Sequence, residues 1–183
     1  MSSTRRAAID GTGSAPAERA ATGFPPVARP DARILILGSL PGRRSLAAHR
    51  YYAHPQNAFW RIMADVLGVE GDYAARCAGL VESRVALWDV LERSVRPGSL
   101  DAAIRLRTAR PNDFEAFFAR HPRIARVGLN GKKAAALFKK RVVPELSRPP
   151  GEIVALPSTS PAHAAMSYAE KRRRWRAFLL GTD

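Results

Sequence analysis

Residues 34–60 read ILILGSLPGRRSLAAHRYYAHPQNAFW: the apolar run Ile34-Leu35-Ile36-Leu37 passes into Gly38-Ser39-Leu40-Pro41-Gly42, and a helix then opens on Asn57-Ala58-Phe59-Trp60. A short run that is apolar at every position and stops at a glycine and proline turn describes a strand buried on both faces, as in a parallel sheet. Ligands of open α/β sheets bind just beyond the carboxyl ends of such strands. The connection from strand to helix carries Tyr51, Tyr52, His54, Gln56 and Asn57. These are stacking surfaces and neutral hydrogen-bonding groups, a mixture that suits a nucleobase better than a phosphate alone.

The same strand pattern recurs downstream. Val85-Ala86-Leu87-Trp88, residues 124–129 and residues 152–156 read as three further strands, and helical patterns cover residues 57–67, 72–78, 132–140 and 168–180. Another helix starts at Asn112 or Asp113, both good caps, and runs to Arg120. Strands alternating with helices predict an α/β fold, a three-layer αβα sandwich around a central four-stranded, mainly parallel sheet. Parallel strands share a direction, so their terminal loops, rich in Gly, Pro, Ser, Asn and His, line one edge of the sheet. Residues 1–30 are poor in large apolar side chains before Phe24-Pro25-Pro26 and read as a disordered tail. The expected organisation is that tail followed by one domain over residues 31–183.

A chain of 183 residues suits one domain with a substantial core. Its 30 Lys and Arg against 16 Asp and Glu leave a formal charge of +14, which points to a polyanionic partner such as nucleic acid. Arginine supplies most of that excess, and arginine and alanine are also what a GC-rich genome favours. The tail holds four Arg against Asp10 and Glu18, so the basic character belongs to the domain. The single cysteine, Cys77, excludes an internal disulfide and any four-cysteine metal site. No cofactor or metal is expected. Neither a membrane-length apolar run nor a secretion signal is visible, so a cytoplasmic, nucleoid-associated monomer with no membrane contact is expected.

Five ordered segments carry a family resemblance: GSLPGRRSL at 38–46, YYAHPQNAFW at 51–60, LWDVL with GSLD within 87–101, LNGKKA at 129–134 and LPSTSPAHA at 156–164. Together they resemble the uracil-DNA glycosylase superfamily, and within it the hypoxanthine-DNA glycosylases, also called DNA-deoxyinosine glycosylases. The resemblance implies a monofunctional glycosylase that flips hypoxanthine out of single- or double-stranded DNA containing deaminated bases and leaves an abasic site. Excision of uracil or a broader set of deaminated bases is the alternative within the fold. A nucleic-acid-binding protein without catalysis is the alternative outside it.

The resemblance also implies roles for residues. Most branches of the superfamily place Asp or Asn two residues after the opening glycine, where this chain has Leu40, which cannot hold a water. In the hypoxanthine branch the catalytic role passes to the position of Asn57, although Asn at that point is equally a helix cap. Tyr52 lies where a related branch stacks the flipped base, and Asn130 where the resemblance places the reader of its edge. Gly38 and Ser39 would complete the base pocket. Gly42, Lys132, Lys133, Ser158, Thr159, Ser160 and His163 would contact the DNA. Neither Leu156 nor Ser158 supplies the histidine with which the second family motif ordinarily begins, and His163 replaces an expected asparagine. Asp89 is the carboxylate to watch, its other reading being a structural hydrogen-bond acceptor. Arg172, Arg173, Arg174 and Arg176 read as a solvated helix face.

Overall fold

The computed structural model describes residues 20–98 and 100–181. Its strands are β1 (Ala21–Thr22), β2 (Ile34–Gly38), β3 (Val85–Asp89), β4 (Leu91–Ser94), β5 (Arg110–Pro111), β6 (Arg126–Asn130) and β7 (Glu152–Leu156). The helices are α1 (Arg43–Ala48), α2 (Phe59–Leu67), α3 (Tyr73–Glu82), α4 (Phe114–Arg120), α5 (Lys132–Arg141) and α6 (Tyr168–Leu180). The central sheet has the order β3-β2-β6-β7. Every neighbouring pair in it is parallel. The chain leaves β2 to one side to form β3 and then crosses to the other side to form β6. The ends of β2 and β6 therefore flank the topological switch point, where open α/β sheets hold their ligands.

The strand read from ILIL is buried throughout, with Leu35, Ile36 and Leu37 at 0% exposure. Full burial of each such side chain is worth about 1.5–3 kcal/mol. Helices flank the sheet. Phe59 of α2 meets Trp175 of α6 edge to face at 6.0 Å, and Phe114 of α4 meets Phe138 of α5 at 5.3 Å. Gly128 in β6 lets α6 approach closely, since a Cβ there would stand 2.6 Å from the Phe178 ring.

Two features depart from the sequence reading. The expected tail is too long: residues 20–30 are part of the fold, while residues 1–19 lie outside the described residues. β1 pairs antiparallel with β4, which also pairs with β5 in a small second sheet. Val27 bridges Leu87, and Trp88 Nε1 donates to the Phe24 carbonyl at 2.9 Å. A segment with few large apolar residues is held here by its backbone groups and by Phe24, which meets the Tyr51 ring edge to face at 5.2 Å. The second departure is α1, which forms inside the stretch read as a loop and ends at His49 in a left-handed conformation.

Candidate active site

At the switch point Gly38 pairs in register with Asp89, and Asn130 ends β6. A Cβ on Gly38 would lie 2.3 Å from Asp89 Oδ1 and 3.1 Å from the Tyr52 hydroxyl. Only glycine leaves room for those two groups above the strand end. Tyr52 sits at φ 53°. That left-handed conformation costs a residue with a Cβ on the order of 1–3 kcal/mol and persists only where its surroundings enforce it. Here both ends of the side chain are fixed. The ring stacks on Phe59 at 4.1 Å with 26° between planes, and the hydroxyl accepts from Asn130 Nδ2 at 3.0 Å. One ring face is thereby occupied. Burial, and then the nearby Asp89, push the phenol well above its usual range, so it stays neutral.

Asn130 is the hub of this end of the sheet. Its Nδ2 donates also to Thr159 Oγ1 at 2.9 Å, and its Oδ1 accepts from the Thr159 backbone N–H at 2.9 Å. Both amide hydrogens are thus committed inside the protein. The Thr159 carbonyl accepts from the Ala58 N–H at 3.0 Å, joining the last loop to the start of α2. At 1% exposure, Thr159 itself is sealed within the protein. This corrects its assignment as a DNA contact, because its side-chain and backbone groups are spent on Asn130 and Ala58. Ser158 and Ser160 flank it half-buried; Ser158 Oγ accepts from the Ser160 N–H and Ser160 Oγ from the Ala162 N–H.

Asn57 sits one residue before the N-cap position of α2. Its Oδ1 accepts from the Phe59 N–H at 3.0 Å. No hydrogen bond engages its Nδ2 among the described residues. The capping and chemical readings of Asn57 are therefore compatible, because the helix end engages the amide oxygen and leaves the donor unengaged among the described residues. Asn57 lines a cleft of about 290 Å3 with Pro55, Gln56, Ala58, Arg61, Tyr168 and Lys171. His54 braces the loop, its Nδ1 accepting from the Gln56 N–H and its carbonyl from the Asn57 N–H. Tyr51 and Trp60 are structural: Tyr51 is 3% exposed, and its carbonyl accepts from Trp60 Nε1 at 2.9 Å.

Beneath the loop after β2 lies a polar cluster that the sequence reading saw only in part. Asp89 is 4% exposed, and its Oδ2 has no hydrogen-bond partner among the described residues. The structural-acceptor reading of Asp89 therefore finds no donor at that oxygen. Burial, and then the like charge of Asp101, push its carboxyl up to about 7, against the opposing pull of Arg96. Arg96, 8% exposed, donates from Nη1 to the Leu40 carbonyl at 3.0 Å and from Nη2 to the Pro41 carbonyl. It also stands 3.6 Å from Asp101. Ser39, expected in the base pocket, is buried and donates to Asp101 Oδ1 at 2.6 Å. The structure thus fixes the 38–42 loop through Ser39, Asp101 and Arg96. Arg96 was missed because one arginine among many carries no distinguishing signal in this composition.

The remaining expected contacts lie further out. Gly42 caps α1, and a Cβ there would meet nothing within 4 Å. Lys132 and Lys133 begin α5, where they oppose its dipole, and neither forms an ion pair among the described residues. His163 is half-buried, with its carbonyl accepting from Lys171 Nζ at 2.8 Å. On α6, Arg172 pairs with Asp65, and Arg173 and Arg174 pair with Glu170, a largely solvated network as read from the sequence. Among the described residues no cluster of His, Cys, Asp or Glu is arranged to hold a metal, and no helix is long and apolar enough to cross a membrane.

A sequence model described as the uracil DNA glycosylase superfamily matches residues 25–180. The chain belongs to that superfamily. Two relatives named hypoxanthine DNA glycosylase place it in that branch. The one from Methanosarcina acetivorans is 32% identical over 158 residues, covering 85% of this chain and 95% of its own. The one from Methanosarcina barkeri is 37% identical over 115 residues, covering 61% of this chain and 72% of its own. A solution NMR structure of a candidate uracil DNA glycosylase from Methanosarcina acetivorans matches with a TM-score of 0.70 at 30% identity, over 87% of this chain and 99% of that one. The chain is accordingly a DNA glycosylase, a hydrolase whose substrate is DNA. The match begins inside the segment first read as a tail, in keeping with the hydrogen bonds that hold Phe24 and Val27 in this glycosylase.

Proposed function

We propose that this glycosylase excises hypoxanthine from deoxyinosine-containing DNA, breaking the bond between the sugar C1′ and the purine N9 and adding water at C1′ to leave an abasic site. The observation that carries the reading is the Asp89 carboxyl at the switch point, its Oδ1 beside Gly38 and the Tyr52 hydroxyl and its Oδ2 buried with no hydrogen-bond partner among the described residues. Hypoxanthine presents an N1–H donor next to an O6 acceptor. A neutral carboxyl group matches that edge atom for atom, donating its O–H to O6 and accepting from N1–H. A carboxyl titrating near 7 is available in this form at and below neutrality. Asn130, with its donors committed, acts by holding Tyr52 and Thr159 in place and keeps a carbonyl lone pair for the base.

The flipped base stacks on the Tyr52 ring. Departure of the base leaves an oxocarbenium-like sugar and a purine gaining negative charge, so stabilisation comes from preorganised dipoles more than from a nucleophile. Asn57 offers a donor, Nδ2, because its oxygen is engaged by the Phe59 N–H. A donor stabilises the departing purine, and an amide cannot take a proton from water. Asn57 is therefore the group that lowers the barrier to departure, and the proton the purine gains comes ultimately from water. Lys132, Lys133, Ser158, Ser160 and His163 remain the proposed backbone contacts. The enzyme works as a cytoplasmic monomer on DNA of the nucleoid.

Uracil offers the same pairing of N–H and C=O, so it is the comparison substrate. Leu40 and Leu156, both buried where the superfamily ordinarily has polar groups, favour hypoxanthine. In single-turnover assays on duplexes carrying inosine, uracil or xanthosine, the purified chain is expected to release free hypoxanthine fastest. A chelator should have no effect, and strand breaks should appear only after alkali. Loss of activity on chelation, a break without alkali, or faster release of uracil would each overturn the corresponding part of the reading.

A further inference from the structure

The cleft beside Asn57 is lined by donors. Arg61 lies exposed on α2 with its guanidinium 3.9 Å over the Tyr168 ring. Lys171 on α6 is 7% exposed, and the only partner of its ammonium among the described residues is the neutral carbonyl of His163. Asp65 feels the charge of Arg61 but is hydrogen-bonded by the Tyr168 hydroxyl at 2.7 Å and paired with Arg172. Glu170, the neighbour of Lys171, is turned to Arg173 and Arg174. The other polar groups lining the cleft are the amides of Gln56 and Asn57.

A cation taken out of water normally acquires an anionic partner, because an unpaired buried charge is strongly disfavoured. Lys171 has none, and burial pulls its ammonium below the usual lysine range. Arg61, set against an aromatic face, presents a planar fork suited to phosphate oxygens. Lys171 without a carboxylate partner, Arg61 with only the through-space charge of an Asp65 already bonded to Tyr168 and Arg172, two amides and an opening of about 290 Å3 form a receptor for a compact polyvalent acceptor.

We infer that this cleft holds a phosphodiester of the lesion strand next to the extruded nucleotide, with Arg61 and Lys171 as its ligands. The inference rests on the glycosylase reading above and adds to it a site between α2 and α6, apart from the basic start of α5. A phosphate seated there brings the deoxyribose against the free Nδ2 of Asn57. It also supplies negative charge close to the sugar as positive charge develops on it.

The test measures affinity of the full chain for inosine-containing and undamaged duplexes across a series of salt concentrations. Arg61→Gln and Lys171→Gln are each expected to lower the slope of log affinity against log salt by about 0.9, the value for one lost phosphate contact. A methylphosphonate placed singly at each phosphate flanking the inosine should weaken wild-type binding at one position. At that position it should cause little further loss in Arg61→Gln. Unchanged slopes, or losses that add independently at every position, would overturn the site. Should Lys171→Gln fail to fold, as circular dichroism would reveal, Arg61→Gln alone decides, because Arg61 is exposed. A chain that shows these losses but never releases hypoxanthine would refute the activity and keep the cleft. A chain that releases hypoxanthine with slopes unaltered would do the reverse.

Discussion

Asn57→Ala is expected to slow the single-turnover release of hypoxanthine by about two orders of magnitude or more, the scale for removing one preorganised electrostatic group. The same change removes the acceptor for the Phe59 N–H, at a cost to stability of about 1 kcal/mol. The two effects therefore separate cleanly in size. Asn57→Asp sharpens the comparison, since a carboxylate accepts from the Phe59 N–H as well as an amide does but offers no donor to the departing purine. A folded and inactive Asn57→Asp locates the chemistry at Nδ2. Full single-turnover rates in Asn57→Ala would reduce the residue to a helix-end acceptor and move attention to Asp89.

Asp89→Asn should change the pH behaviour of both stability and rate. The carboxyl has an ordinary value near 3.8 in the unfolded chain and about 7 in the fold. Between those values the folded state holds a proton that the unfolded state has lost. The stability contributed by Asp89 is accordingly full below about 4 and drains away as pH rises through 7. At about 1.4 kcal/mol per pH unit, the span is on the order of 4 kcal/mol. The neutral isostere removes this dependence, so denaturant titrations at pH 8 should find Asp89→Asn more stable than the wild type. The amide also retains a donor and an acceptor for the O6 and N1–H edge. Wild-type activity should fall above pH 7 while the variant's profile stays flat. A variant less stable than wild type at pH 8, or one whose activity declines with the wild-type profile, would show that Asp89 is not a neutral acid at the base edge.

The central sheet was legible because its signal is local. The runs beginning at Ile34 and Val85 and those within 124–129 and 152–156 are mostly apolar, three of the four pass into loops of Gly, Pro, Ser or Asn, and the strands observed differ from them by a residue or two at their ends. Asn57, Tyr52 and Asn130 stood out through the family resemblance, since an Asn before a helix reads equally as a cap and Asn130-Gly131 stands at a strand end. What each amide atom does was not legible. The commitment of Asn130 to Tyr52 and Thr159 spans 78 and 29 residues, and no local pattern reports a hydrogen bond of that separation. The same holds for Ser39 with Asp101, 62 residues apart, and for Arg96 beneath the loop after β2. α1 escaped because Gly42 and Pro41 read as loop formers, although glycine serves well enough as a helix N-cap.

The stretch around Phe24 determines where the enzyme can be shortened. Its carbonyl takes the indole N–H of Trp88, and the carbonyls of Phe24 and Pro25 lie within 3.4 Å and 3.2 Å of the Tyr51 hydroxyl. Trp88 precedes Asp89 and Tyr51 precedes Tyr52, so the two residues proposed to grip the base are each anchored, one position back in the chain, to the same short segment. A clone begun at residue 31, where composition alone would draw the boundary, would strand both donors at once, at about 1–3 kcal/mol for each left without a partner. It would loosen the grip on the base without altering a single residue that touches DNA. A library of shortened or fused versions of this enzyme should therefore keep everything from Ala21 onward.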